Sequence, residues 1–91
     1  MKKTEELKIQ NTLCKNLKFL REFCELTQQQ IAYDLHIDRS TYTYWECGKT
    51  MPPIFKLKAL IEFYRKKGMK LDYNLLLEGL ITLPVIQGIS E

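Results

Sequence analysis

A capping box near the middle of the chain constrains the fold most, because it marks the start of a helix. In Thr27-Gln28-Gln29-Gln30, the Thr27 side chain can accept a hydrogen bond from the Gln30 backbone, and the Gln30 side chain can accept one from the Thr27 backbone. Leu26 and Ile31 hold the hydrophobic-staple positions on either side. The pattern predicts a short helix that begins after Thr27, with an inner face formed by Ile31, Ala32 and Leu35.

A second short helix follows almost at once. The connection His36-Ile37-Asp38 is too short for a long loop, and Asp38 is a favourable N-cap residue. The next helix is predicted over residues 39–46 and is stopped by Gly48, which suits the left-handed conformation found after many helix ends. Two short helices joined by a three-residue turn form a helix-turn-helix arrangement.

Apolar spacing predicts three further helices. The first precedes the capping box and can extend back through Ile9. Pro52-Pro53 restarts the chain for a fourth helix that Gly68 ends, and Asp72 caps a short fifth helix. The apolar faces of these three helices are Leu13, Leu17, Leu20 and Cys24, then Ile54, Leu57, Leu60, Ile61 and Tyr64, and finally Leu75, Leu76 and Leu77.

These elements predict an all-α fold, a compact five-helix domain with a short apolar C-terminal tail. At 91 residues the chain has the size of one small domain and can bury one modest core. We divide it into an N-terminal extension at residues 1–11, the helix-turn-helix domain at residues 12–79 and the tail at residues 80–91. The tail can pack on the domain, pair as an edge strand or contact a partner, and the sequence leaves all three open.

Composition and cysteine spacing limit the classes of function. With 45% apolar and 27% charged residues, we expect a soluble globular protein with no signal peptide and no membrane-spanning segment. Cys14, Cys24 and Cys47 form no CxxC pair, so we expect neither a disulfide framework nor a metal site, and a reducing cytoplasm suits them. The chain has one histidine and no glycine-rich phosphate loop, so we expect neither an enzyme nor a cofactor.

The charge distribution gives a weak hint of a polyanionic partner. The net charge is +3, with basic residues concentrated in residues 1–24 and 49–71. Between them, residues 25–48 carry Arg39 as their one basic residue against four acidic ones. Such runs are commonly solvated helix faces, so charge alone does not identify a partner.

The segment from Leu26 to Lys49, together with its flanks, resembles the helix-turn-helix domain of Cro and the phage repressors, the lambda-repressor-like XRE family. The resemblance covers about residues 12–78 and implies a cytoplasmic, nucleoid-associated protein in a bacterial or phage-like context. It rests on features that occur in register: Arg21 late in the first helix, Thr27-Gln28, Ile31-Ala32, Trp45-Glu46-x-Gly48 and the proline that follows.

The resemblance implies which residues contact DNA. In this family the third helix enters the major groove with its N-terminal residues toward the bases. Arg39 is the best candidate for direct readout, because its fork matches O6 and N7 of guanine. Tyr44 departs from the polar or basic residue common at its position, and it can contact a thymine methyl or a phosphate, or pack against Ser40 and Thr41. The implied base contacts are Arg39, Ser40, Thr43 and Tyr44, and the implied phosphate contacts are Thr27, Gln28 and Lys49.

The resemblance also implies structural roles. Arg21 and Glu46 should form a salt bridge that ties the first helix to the end of the third, and such a pair contributes more to orientation than to stability. Tyr42 and Trp45 should face the core. His36 stands where the family usually has a turn glycine, and histidine tolerates the left-handed conformation better than most residues.

The predicted function is sequence-specific binding of double-stranded DNA by a small transcriptional regulator, with a repressor as the expected direction and residues 39–46 as the recognition helix. One domain contacts few bases, so we expect a homodimer that associates through the apolar residues 75–86. The alternative is a helix-turn-helix module that contacts a protein, such as an antitoxin component, which the acidic centre and the apolar tail favour. No membrane partner is expected.

Overall fold

Helix-forming residues run without glycine or proline from Lys2 to Phe23, and they form one long helix. The computed structural model describes the backbone of residues 2–79 and the side chains of residues 7–79. Its helices are α1 (Lys2–Phe23), α2 (Gln28–Leu35), α3 (Arg39–Cys47), α4 (Ile54–Lys66) and α5 (Tyr73–Glu78). Every regular element in this range is a helix, which confirms the predicted all-α fold with five helices. The predicted apolar tail, residues 80–91, lies outside the described residues.

The predicted N-terminal extension overlaps with α1. Residues 2–11 form the first half of this helix, because no glycine or proline interrupts helical hydrogen bonding between them and the predicted helix. Near the predicted boundary, the side-chain amide of Gln10 donates a hydrogen bond to the carbonyl of Gly48, at the end of α3. The boundary between residues 11 and 12 therefore lies within one helix that contacts the rest of the fold.

The first four helices end in the same backbone motif. A residue with positive φ follows each helix, and the next N–H donates to the carbonyl five residues back, at 2.9–3.2 Å. This is the Schellman motif. The sequence predicted the turns at His36, Gly48 and Gly68 but missed Glu25, whose φ is 58°. Glutamate has no particular preference for the left-handed region, so nothing at that position signals the turn.

The core forms where α1 packs against α3 and α5 and where α2 packs against α3. One buried polar side chain fixes α5 on α1: the Asn16 amide donates to the carbonyl of Leu76 at 2.7 Å and to that of Gly79 at 2.8 Å. Buried carbonyls need such partners, so Asn16 is structural. The buried apolar residues are Leu13, Leu17, Leu20, Ile31, Ala32, Leu35, Tyr42, Trp45, Leu57, Leu60, Ile61, Tyr64, Met69, Leu71 and Leu76.

The predicted dimer surface needs one correction. Leu76 is fully buried in the core, so it is not available for contact with a second chain. A helix as short as α5 must bury at least one large side chain to be held on the domain, and Leu76 serves that purpose. Leu75 and Leu77 are half-buried against the same core, and residues 80–86 of the predicted surface lie outside the described residues.

Candidate nucleic-acid interface

The capping box fixes the start of α2. Thr27 Oγ1 accepts a hydrogen bond from the Gln30 backbone N–H at 3.1 Å, and the Thr27 N–H donates to Gln30 Oε1 at 2.8 Å, which confirms the predicted box. Because the Thr27 oxygen accepts in this arrangement, its hydroxyl proton can be donated outward. Thr27 is exposed, so an acceptor such as a phosphate oxygen can approach it.

The turn between α2 and α3 is as tight as the sequence suggests. His36 has φ 60° and ψ 45°, the expected left-handed conformation. Asp38 precedes α3 in an extended conformation, as predicted for an N-cap residue. The Asp38 side chain, however, makes no hydrogen bond to the start of α3. This carboxylate is exposed to solvent.

The two faces of α3 have opposite environments. Tyr42 and Trp45 are buried, with ring centroids 6.1 Å apart in an edge-to-face arrangement, and they anchor the helix to the core. On the other face, Arg39 and Ser40 are exposed and Tyr44 is 45% exposed. Thr43 is half-buried on this outer face. The helix therefore carries Arg39, Ser40, Thr43 and Tyr44 on one side, away from Tyr42 and Trp45.

An ion pair fixes the C-terminal end of α3 to α1. Arg21 Nε donates to Glu46 Oε2 at 2.6 Å, and Arg21 Nη2 donates to Glu46 Oε1 at 3.2 Å. The side chains of Arg21 and Glu46 are only 14% and 5% exposed. Removal of one partner would leave a buried charge unpaired, which is costly. Loss of either partner should therefore cost more than loss of an exposed ion pair, whereas the sequence suggested a role mainly in orientation.

The surroundings keep Glu46 ionised. Burial raises the pKa of Glu46, but the hydrogen bonds from Arg21 and Gln28, together with the positive charge of Arg21, outweigh burial and hold this pKa below its ordinary value. The hydrogen bond to Glu46 in turn raises the pKa of Arg21. At neutral pH the Glu46 carboxylate is therefore an acceptor on both oxygens.

The ion pair continues to the outer face of α3 through the first residue of α2. Gln28 Nε2 donates to Glu46 Oε1 at 3.0 Å, and Thr43 Oγ1 donates to Gln28 Oε1 at 2.7 Å. We call Arg21, Glu46, Gln28 and Thr43 the Glu46 network. It joins α1, α2 and α3, and it connects one implied phosphate contact, Gln28, directly to one implied base contact, Thr43.

Lys49 and Tyr44 contact each other at the end of α3. The Lys49 N–H donates to the Tyr44 carbonyl at 2.9 Å as part of the Schellman motif, and Lys49 Nζ lies 5.3 Å from the centre of the Tyr44 ring. In the other three Schellman motifs, the equivalent position holds an apolar residue: Leu26 after α1, Ile37 after α2 and Met69 after α4. A cation over an aromatic ring replaces the usual apolar contact here and places a positive charge beside Tyr44.

Five of the implied DNA-contacting residues, Thr27, Gln28, Thr43, Tyr44 and Lys49, are linked through the chain or by direct contacts. Thr27 precedes Gln28 along the chain, Gln28 bonds to Thr43, and Tyr44 contacts Lys49.

Within residues 7–79, no group of three or more His, Cys, Asp or Glu side chains is placed to hold a metal ion. No helix in residues 2–79 is long and apolar enough to cross a membrane.

Several contacts of this region were not predicted, among them the bonds from Gln10 to Gly48 and from Thr43 to Gln28. The sequence does contain a signal for the Gln10 contact. Gln10 lies about one turn before Leu13 on the inner side of α1, so its side chain can make a polar contact at the end of the core. The bond between Gln28 and Thr43 has no comparable signal, because it depends on how closely α2 and α3 cross. The sequence treats these two residues separately.

Two short helices crossing at a left-handed turn, with a buried inner face and a polar outer face on the second helix, define a helix-turn-helix protein. A family model described as a helix-turn-helix domain matches residues 14–79, and the chain belongs to this family. A curated relative, the HTH-type transcriptional activator BcrR of Enterococcus faecalis, is 37% identical over 67 residues. The match covers 74% of this chain but only 31% of the relative. No solved structure matches the chain.

Proposed function

We propose that the chain binds double-stranded DNA in a sequence-specific manner as a transcriptional regulator, with α3 in the major groove. The observation that carries this proposal is the division of α3 into an anchored inner face, with Tyr42 and Trp45, and a polar outer face. A recognition helix needs both, since it must be held rigidly while its outer side chains reach base edges. Membership of the helix-turn-helix family supports the proposal.

The residue roles follow the resemblance to Cro and the phage repressors, a finer assignment than the family model makes. Arg39 reads a guanine, while Ser40, Thr43 and Tyr44 approach the neighbouring bases. Thr27 donates its outward hydroxyl proton to a phosphate, and Gln28 retains one amide N–H for the same purpose. Lys49 holds the backbone beyond α3, where its charge lies over Tyr44.

The direct test is selection of binding sites from random DNA duplexes at moderate salt, with the purified chain. We expect a two-fold symmetric motif with a guanine in each half-site. Affinity for it should fall as salt rises, with a log–log slope of about −0.9 for each phosphate contacted. Failure of a folded protein to enrich any motif would overturn the proposal.

The direction of regulation is a separate part of the proposal. The sequence suggests a repressor, whereas the relative BcrR is named an activator. Both directions begin with the same binding step, and the position of the operator relative to the promoter selects between them. A reporter whose promoter overlaps the selected operator should be repressed when the chain is expressed. Increased expression from the natural promoter would show an activator.

A homodimer completes the proposal, because two half-sites about one helical turn apart give the specificity that one domain lacks. We assign the contact between the two chains to residues 75–86, except for Leu76, which is buried in the core. A chain that ends at Gly79 keeps every helix of the described fold and should sediment as a monomer with weakened DNA binding. If this shortened chain remains a dimer, the contact lies elsewhere.

One observation favours a protein-contact module, such as an antitoxin component, as the second candidate. Ile54 and Phe55 at the start of α4 are 66% and 73% exposed, although both are large and apolar. Affinity purification with the intact chain and with Phe55→Ser distinguishes the candidates. The protein-contact module would be established by two results together. The chain enriches no DNA motif, and a single protein co-purifies with it stoichiometrically but not with Phe55→Ser.

A further inference from the structure

We infer that Thr43 is a specificity-determining residue that accepts a hydrogen bond from an exocyclic amino group of a base, the N6 amino group of adenine or the N4 amino group of cytosine. The inference rests on the proposed function and names the chemistry that one of its residues selects. It follows from the direction of each hydrogen bond in the Glu46 network.

The carboxylate sets the direction of the whole network. An ionised carboxylate has no proton to donate, so the Gln28 atom 3.0 Å from Glu46 Oε1 is the amide nitrogen. The other end of the Gln28 amide, its oxygen, then faces Thr43 at 2.7 Å. An amide oxygen only accepts, so the Thr43 hydroxyl must donate its proton to Gln28.

A threonine hydroxyl has one proton and two lone pairs, and Thr43 has given its proton to Gln28. Outward, Thr43 is therefore an acceptor. It cannot form a hydrogen bond with another acceptor. This excludes phosphate oxygens, guanine O6 and N7, adenine N7 and thymine O4. In the major groove the donors on base edges are the amino groups of adenine and cytosine.

Thr27 provides the internal contrast. Its oxygen accepts from the Gln30 backbone N–H, so its proton is still available. The same residue type therefore has opposite hydrogen-bonding capacity at the two positions. Thr27 can donate to a phosphate, whereas Thr43 can only accept. A residue type that commonly contacts bases and phosphates without distinction is thus restricted at position 43 by its neighbours.

Glu46 is a positioning residue for this readout, because it acts on the base through Gln28 and Thr43. In Glu46→Gln, the remaining oxygen can keep only one of the two Arg21 bonds, and the shorter one, from Nε at 2.6 Å, holds it at the Oε2 position at the expense of the 3.2 Å bond from Nη2 to Oε1. The new NH₂ group then faces Gln28, whose amide must turn its oxygen toward it. Thr43 now accepts from the Gln28 nitrogen, and its proton is free to donate to guanine or thymine.

The experiment measures binding to the selected operator and its single-base variants with the wild-type chain, Thr43→Val and Ser40→Ala. The pair read by Thr43 is the one at which Thr43→Val, but not Ser40→Ala, loses discrimination. Every base pair carries one amino group in the major groove, on its adenine or its cytosine, and this is the group that Thr43 should contact. Deletion of this amino group, with purine for adenine or 2-pyrimidinone for cytosine, should weaken wild-type binding about five-fold and Thr43→Val binding not at all. If adenine is found, 7-deazaadenine should bind as tightly as adenine.

A separate arm tests the positioning role. Glu46→Gln, with a circular dichroism spectrum like that of the wild type, should favour pairs that carry guanine or thymine on the strand where the selected operator has adenine or cytosine. An unchanged preference in this folded variant would overturn the role of Glu46. The role of Thr43 fails if removal of the amino group has no effect on wild-type binding. It also fails if replacement of the paired thymine by uracil weakens binding to the same extent, because a contact with the thymine methyl group would then explain the preference. If selection enriches no motif, the proposed function fails and this inference with it.

Discussion

The two ends of α3 are held in different ways. At its C-terminal end, Trp45 is buried, Glu46 is paired with Arg21, and Gly48 closes a Schellman motif that also receives a bond from Gln10. At its N-terminal end, Arg39 is exposed and the N-cap residue makes no side-chain bond to the helix. Protein contacts thus satisfy one end, whereas the other end presents its polar groups outward.

This difference separates stability from recognition along a single helix. The C-terminal end sets the position and direction of α3. Substitutions there should therefore lower the stability of the fold and weaken DNA binding as a consequence. The N-terminal end contributes few internal contacts, so changes there should alter binding with little effect on folding. Thr43 lies between the two, because the Glu46 network extends from the buried end to the outer face.

The largest effect is expected for Trp45→Ala. Trp45 is 3% exposed and packs edge-to-face on Tyr42, so its removal leaves a cavity in a small core. The free energy of unfolding should fall by about 3–5 kcal/mol in urea denaturation. The neighbouring Tyr44→Ala, which removes a 45% exposed ring and its contact with Lys49, is the matched control and should cost about 1 kcal/mol or less. Equal losses in the two variants would contradict the division of α3 into two faces.

The second prediction concerns the pH dependence that Glu46 confers. Its folded-state pKa lies below the ordinary value of 4.5, so its stabilising effect is complete above that value and is lost as the pH falls through the folded-state pKa. At pH 7, Glu46→Gln should lower the free energy of unfolding by about 1.5–3 kcal/mol. The gap between wild type and variant should narrow progressively below pH 4.5.

Glu22→Gln is the control for this pH experiment. Glu22 also lies near Arg21, at 3.9 Å, but its side chain is 58% exposed. Exposed pairs contribute little, so this variant should unfold like the wild type at each pH tested. A constant gap between Glu46→Gln and wild type from pH 7 down to pH 3 would show that the stabilising effect does not depend on the Glu46 charge.

The third prediction tests the exposed end. Arg39→Ala should weaken binding to the selected operator by about 1–3 kcal/mol per half-site and relax the choice at one base pair. Its free energy of unfolding should stay within about 0.5 kcal/mol of wild type, since surface substitutions usually do. Lys70→Ala, which removes an exposed cation in the connection between α4 and α5, is the matched control. An equal loss on all sequences would mean that Arg39 contacts phosphate.

Local features of the fold were predictable from the sequence. The capping box at Thr27 and the left-handed His36 depend on residues within a few positions of each other, and both were confirmed. Asp38 does precede α3, but its side chain makes no bond to the helix, so a favourable N-cap residue does not by itself ensure the capping bond. Local chemistry thus locates the start and end of a helix better than it assigns each hydrogen bond there.

Contacts between helices were harder to predict. The pairing of Arg21 with Glu46 was expected from the family resemblance, whereas the bond between Gln28 and Thr43 depends on the crossing of α2 and α3. Apolar spacing marks Leu76 as part of a face but does not show whether that face meets the core or a second chain. Such contacts require the packed structure, since residues far apart in sequence determine them.

The smallest effects are expected at the turns that set the entry into α2 and α3. Glu25 and His36 are non-glycine residues with φ near 60°. Glycine avoids the steric cost of that conformation but loses more entropy on folding, so Glu25→Gly and His36→Gly should each raise the free energy of unfolding by about 0.5 kcal/mol. Gly68→Ala is the reverse control: its added Cβ meets no atom within 4 Å, so its loss measures backbone conformation alone. If His36→Gly destabilises while Glu25→Gly stabilises, the imidazole itself supports the turn into α3.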